Sequence, residues 1–276
     1  MKSFFIFLFF QIIATNVQAQ LRYPIVGNYK GRGAQGMAIY GDSAFLMSDG
    51  GLCRLYNLAK KKLEREFVLA SSSPHNHVNN VCFGPDHYKG NALPLIYVSE
   101  CNNSFRCFVE NIKADSCELI QTIEVKDLEA VIDWVVDCKS RNLYSISRTG
   151  EVIDDAGNCI CNVKKYRLPS IDEGNSIVLS EQDIIDQFPV SFPNILQGCK
   201  IRKNMMYLVT GFQESLSYRM DAGRSLKVID LKSKKLLKEF DLTYVTTNEP
   251  EDIDFYKGNC LMYCGQEGGI YEINYR

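Results

Sequence analysis

Five short stretches of this sequence group residues able to do chemistry. They are Ala34-Gln35-Gly36, His75-Asn76-His77-Val78-Asn79-Asn80, Asp133-Trp134, Leu196-Gln197-Gly198 and Asn248-Glu249-Pro250-Glu251-Asp252. Two of the three His, the only Trp and a pair of carboxylates fall within them. An aromatic face beside amides and carboxylates suits a polar small molecule or a sugar. The candidate ligand-binding set is therefore Gln35, His77, Asn79, Asn80, Asp133, Trp134, Gln197, Glu249 and Glu251. Glu249, Glu251, Asp133, Asn79 and Asn80 are also hard oxygen donors of the kind calcium takes. His75 and His77 lack a third partner for zinc. A rival chemistry uses Glu249 or Glu251 as acid or base beside His77, in a lyase, hydrolase or cyclase. No GxSxG, HExxH, P-loop or GxGxxG pattern stands in a usable context, so no catalytic residue is assigned and no cofactor beyond calcium is suggested. Such polar residues also have a purely structural use, bonding exposed backbone and ordered water where strands crowd.

The elements that must position these stretches are strands. Short runs of Val, Ile, Tyr, Phe and Leu alternate with Gly, Asn, Asp and Ser, with almost no helical periodicity. The chain also resembles itself at a period of about 50 residues, the range of four-stranded propeller blades. Ala38 to Met47, followed by Gly50 to Tyr56, matches Asp254 to Tyr263, followed by Gly268 to Asn274. A third copy begins at Cys199 and reaches its third strand, Leu226 to Asp230, after an insertion from Phe212 to Gly223. Looser copies begin at Asn79 and Val131. Five innermost strands start near Gln35, Asn79, Asp133, Gln197 and Glu251, which predicts an all-β, five-bladed β-propeller of four-stranded antiparallel blades. The last copy has three strands, so Leu21 to Tyr29 is expected to supply its fourth and close the ring. Innermost strands run in one direction, and their starts share one face of the disc. The candidate residues are expected to converge there.

Composition narrows the function classes. Lys2, an apolar run from Phe4 to Ile13 and the small-residue site Val17-Gln18-Ala19 read as a secretory signal peptide over residues 1–19, leaving one domain over 20–276. The run is shorter than the roughly 20 apolar residues of a membrane span. No Cys follows it closely to carry a lipid anchor, so a secreted or periplasmic chain without membrane insertion is expected. The 31 basic residues balance 33 acidic ones, which disfavours nucleic acid as a partner. Eleven cysteines is an odd number for an exported chain. Cys53, Cys107 and Cys161 recur at equal intervals at the openings of strand-like runs, which marks Cys as a small buried hydrophobe. No CxxC spacing suggests a zinc or redox site.

At these residues the chain resembles two groups of five-bladed propellers. The Gln-Gly pairs at 35–36 and 197–198, the segment His77 to Asn80 and Glu249-Pro250-Glu251 are similar to the propeller shared by phage receptor-binding proteins and proteins of teichoic-acid gene clusters. That resemblance implies surface recognition, with a small polar ligand, a glycan or a surface protein as partner. A narrower resemblance is to plant-type glutaminyl cyclases, whose first blade opens with Phe-Thr-Gln-Gly. Only Gln35-Gly36 matches, Gly33-Ala34 stand in place of the aromatic and hydroxyl residues, and the Glu-Gly-Trp-Gly segment of that family has no counterpart.

Overall fold

The repeat folds into five small antiparallel sheets because each run of apolar residues is closed by a turn that reverses the chain. Lys203 and Asn204, for example, both adopt positive φ (51° and 64°), the two-residue turn whose twist matches paired strands. The structure, a computed structural model, describes residues 18–23, 33–114, 116–126, 130–153, 159–192, 195–211, 223–265 and 269–274. The first strand, β1 (Gln18–Tyr23), precedes blade one, which comprises β2 (Ala34–Tyr40), β3 (Ser43–Ser48), β4 (Leu52–Asn57) and β5 (Lys62–Val68). Blade two is built from β6 (Val78–His87), β7 (Pro94–Glu100), β8 (Cys107–Ile112) and β9 (Cys117–Val125). Blade three takes β10 (Val131–Asp137), β11 (Asn142–Ile153) and β12 (Cys159–Arg167), then, after β13 (Ser176–Leu179), β14 (Ile184–Phe192). Blade four is β15 (Leu196–Arg202), β16 (Met205–Thr210), β17 (Ser225–Asp230) and β18 (Lys235–Asp241). Blade five is β19 (Pro250–Tyr256), β20 (Asn259–Cys264) and β21 (Gly269–Asn274), completed by β1.

The chain is thus an all-β, five-bladed propeller. Innermost strands β2, β6, β10, β15 and β19 touch in that order, and β19 returns to β2. Antiparallel β1 pairs Ala19 with Ile273 and Leu21 with Tyr271, so the N-terminal segment closes the ring. Of the expected closing segment, Pro24 to Tyr29 lie outside the described residues, as do 1–17 of the expected signal peptide and 212–222 of the insertion.

One element departs from four strands per blade. Between β12 and β14 the chain crosses to blade two, where β13 runs parallel to β9 with Ser176 opposite Thr122. It covers the outer edge of that sheet, whose N–H and C=O groups would otherwise lie open.

Apolar side chains pack between blades. Trp134, Tyr97, Val163 and Leu208 lie in the largest cluster, spanning blades two to four. Tyr23 of β1 packs with Tyr56 and Tyr263 where the ring closes. Cys53, Cys107 and Cys161 are buried near the starts of third strands. No helix among the described residues is long and apolar enough to cross a membrane.

Near the axis the inner strands approach so closely that a methyl group has no room. A Cβ on Gly198 would stand 2.6 Å from the Glu251 carbonyl oxygen and 2.8 Å from Asp252 Cα, both backbone atoms of the next blade. Gly198→Ala is therefore expected to destabilise the protein by about 1–3 kcal/mol, the usual cost of overpacking. Gly33→Ala, whose Cβ would meet only Gln35 Nε2 at 3.9 Å, should change stability little. Urea midpoints of the two variants check this, and equal midpoints would refute the axial constraint.

Candidate functional site

Every innermost strand carries a break in register just after it starts. The breaks fall between Ala34 and Met37, Val78 and Val81, Val131 and Asp133, Leu196 and Gly198, and Pro250 and Asp252. A bulge inserts one extra residue and re-aims its side chain. The residues following the five strand starts are Gln35, Asn79, Ile132, Gln197 and Glu251, so four of the five are predicted site residues. The next positions, Gly36, Asn80, Asp133, Gly198 and Asp252, form a second ring. Asp133 and Asn80 thus stand one step deeper than Gln35, Gln197 and Glu251.

The deeper ring is closed by its own hydrogen bonds. Asn80, fully buried, donates from Nδ2 to the Trp134 carbonyl (2.8 Å) and accepts at Oδ1 from the Cys199 amide (3.0 Å). Asn79 Nδ2 donates to Asp133 Oδ1 (2.7 Å). Asp252 accepts the amides of Met37 (2.7 Å), Val81 (3.3 Å) and Ile253 (2.7 Å). Below it, Asp254 pairs with Lys200 (2.7 Å). These groups floor the mouth.

The upper ring is less satisfied. Gln197 Nε2 donates to the Gly211 carbonyl (2.9 Å) and to Glu249 Oε1 (2.5 Å). Gln35 Oε1, Asp133 Oδ2 and Glu251 Oε2 are buried and accept no hydrogen bond among the described residues. A buried polar atom without a partner is costly enough to require an explanation. Burial pushes the Glu251 carboxyl well above the ordinary range, reinforced by negative charge on Glu249, Asp49 and Asp252. Glu249 is raised as well, by burial and then Asp49, against the opposing bond from Gln197. Burial lifts Asp133 to about 7 despite the Asn79 bond that favours its ionised form.

Beside these carboxylates a cavity of about 760 Å³ opens on the mouth face, walled by Asp49, residues 74–77 and Asn102–Asn103. His77 belongs to this wall, with Nδ1 3.2 Å from Asp49 Oδ1. His77's carboxylate is therefore Asp49, not Glu249 or Glu251.

No protein-family profile matches the chain, and no curated protein matches it.

The structure brings Gln35, Asn79, Gln197, Glu249 and Glu251 to one mouth, with Asp133 and Asn80 beneath and His77 on the neighbouring wall. Trp134 is a correction. Expected to offer a ring face to a ligand, it is 0% exposed. Its Nε1 donates to the Phe105 carbonyl (3.2 Å), because at its position in β10 the side chain turns from the axis into the interblade core. Among the described residues no group of three or more His, Cys, Asp or Glu has the geometry to hold a metal. Asp49, Asn102 and Asn103 are additions. They sit in turns after the second strands of blades one and two, which antiparallel pairing returns to the mouth face. Asp49-Gly50-Gly51 is legible in sequence as a glycine turn, and that turn is the signal that could have found Asp49.

Asp133 generates a pH test. An Asp in the unfolded chain titrates near about 4, whereas Asp133 in the fold titrates at about 7. Between these values the native state holds more protons, so the stability that Asp133 contributes is present below pH 4 and is lost as pH rises through 7. The stability difference between wild type and Asp133→Asn should shift against the wild type over that window, as read from urea melts at pH 4, 5.5 and 7.5. A pH-independent difference would refute it.

Proposed function

We propose that the chain is an exported binding module that recognises a glycan, a peptide or a cell-surface component through the mouth face of the propeller. One observation carries this reading: buried acceptors on separate inner strands, Gln35 Oε1 and Glu251 Oε2 above Asp133 Oδ2, accept no hydrogen bond among the described residues, beside an open cavity of about 760 Å³. A buried acceptor calls for a donor, and a ligand supplying donors at the mouth would satisfy these three. The cavity wall supports a polar ligand, since Pro74 is its only apolar residue beside Asp49, three Asn and two His. Export rests on the apolar run and small-residue site of residues 1–19.

An enzyme using a mouth carboxylate with His77 is less well supported. General acid–base work needs the perturbed carboxylate within reach of its partner. The strongly desolvated carboxylate is Glu251, while the group against His77 is Asp49. Propellers host both classes, so fold does not decide between them.

Capture on glycan and peptide arrays tests the reading. Glu251→Gln should abolish capture while leaving the melting temperature unchanged or raised, because an amide is relieved of the burial and acidic neighbours that oppose a carboxylate there. Trp134→Ala should retain capture in its folded fraction but lose about 3–5 kcal/mol of stability to the cavity it leaves. Loss of stability without loss of capture in Glu251→Gln would assign that residue to structure. Retained capture with lost turnover of a bound compound would make the protein an enzyme.

A further inference from the structure

The mouth is unbalanced in a particular sense. Three of its amide side chains spend donors inside the protein: Gln197 on Gly211 and Glu249, Asn79 on Asp133, Asn80 on Trp134. What remains is acceptor capacity, on Glu251, Gln35 and the partly buried Glu249. Neither glutamate pairs with a Lys or Arg among the described residues, whereas Asp254, on the same strand as Glu251, has Lys200 at 2.7 Å. Chain-wide the charges nearly cancel, 31 against 33, so this local excess of acidic groups is a property of the site.

Room for the excess is built in. Gly265 N–H donates to the Glu249 carbonyl (2.8 Å), and a Cβ at Gly265 would stand 2.1 Å from Glu251 Oε1. A side chain there would displace the carboxyl, so Gly265 admits Glu251 to its place.

We infer that the mouth takes a small polar ligand bearing a primary ammonium group, seated at Glu249 and Glu251 with Gln35 Oε1 as a further acceptor. The inference rests on the mouth-face binding reading and names the chemistry that face selects. An ammonium carries three donors and no acceptor, the complement of this set. Its hydrogen bonds to carboxylates are charge-assisted and strong where water is excluded. Divalent metal is the less suitable cation because no three acidic or His/Cys groups of the described chain converge with ligand geometry. The polar cavity next to Asp49 would hold the remainder of the ligand, and its mostly polar wall fits hydroxyl or amide groups there.

The test is calorimetric titration of the whole protein at pH 7 with four probes. These are a glucosamine oligosaccharide, the same oligosaccharide N-acetylated, an alanine-rich peptide with a free amino end, and its acetylated twin. Binding of an amine probe that weakens about tenfold or more on acetylation, and likewise in Glu251→Gln and Glu249→Gln, supports the proposal. The arm that binds tells whether the amine belongs to a sugar or to a peptide. Glu249, less buried than Glu251, gives a second variant if Glu251→Gln melts early. Equal binding of amine and acetylated probes overturns the ammonium assignment and leaves the mouth-face binding reading standing. Calcium chloride that raises the melting temperature of the wild type but not of Glu251→Gln overturns it in favour of a divalent cation. Binding of no probe by a folded wild type overturns the ammonium assignment. Array capture that is also absent removes the binding reading with it.

Discussion

The innermost strand of a propeller blade is a sheet edge, and on its axial side it presents N–H groups with no ladder partner. Those groups lie where neither bulk water nor another strand reaches them, so side chains must supply the acceptors. Asp252 and Asn80 answer most of this need. One carboxylate of blade five takes amides from blades one and two besides the amide of Ile253. One carboxamide of blade two joins blade three, through the Trp134 carbonyl, to blade four, through the Cys199 amide. Between them, two polar side chains tie all five blades at the axis. Others extend the pattern outward: Asp254 takes the Ile39 amide (2.8 Å) and Ser99 Oγ the Trp134 amide (2.8 Å).

This solution dictates the glycines and the bulges. Asp252 reaches Met37 only if the chain beside it comes close, and a Cβ on Gly36 would stand 2.7 Å from the Asn79 carbonyl oxygen. Once the second residue after each strand start is committed to the axis, the residue before it cannot share that direction under strict alternation and remain in register. The bulge resolves the conflict by sparing one residue from pairing. Gln35, Asn79, Gln197 and Glu251 occupy those spared positions. The mouth is therefore a by-product of closing the axis, and its side chains are free to differ where those below are fixed by bonding.

Much of this was legible in the sequence because repetition is visible without structure. The period, the five strand starts and the three-stranded last blade lead to ring closure by residues near Leu21, which pairs with Tyr271. The convergence of Gln35, Gln197 and Glu251 was legible for the same reason. Orientation within a strand was not. Trp134 stands beside Asp133 in sequence, and period-two alternation alone sends one inward and the other outward without saying which. The bulge before Asp133 decides it. Nor was β13 legible, since Ser176 to Leu179 is short and its parallel pairing with β9 depends on where the chain leaves blade three. Asp49 lay hidden in a turn whose glycines read only as a reversal.

Glu251 and Asp252 show why residue type does not settle role. They are consecutive, both carboxylates and both nearly inaccessible, at 4% and 0% exposed. Asp252 receives three main-chain amides, so its burial is compensated by bonds that close the ring. Glu251 has an oxygen with no donor among the described residues and two acidic neighbours, Glu249 and Asp49, that oppose its charge. Folding gains nothing from that arrangement, because a hydrophobic or amide side chain of similar volume would relieve both penalties. A group that the fold could replace at no cost is explained by something outside the fold. For Glu251, the proposed ligand would supply that outside partner by bringing a donor, positive charge or both to the mouth.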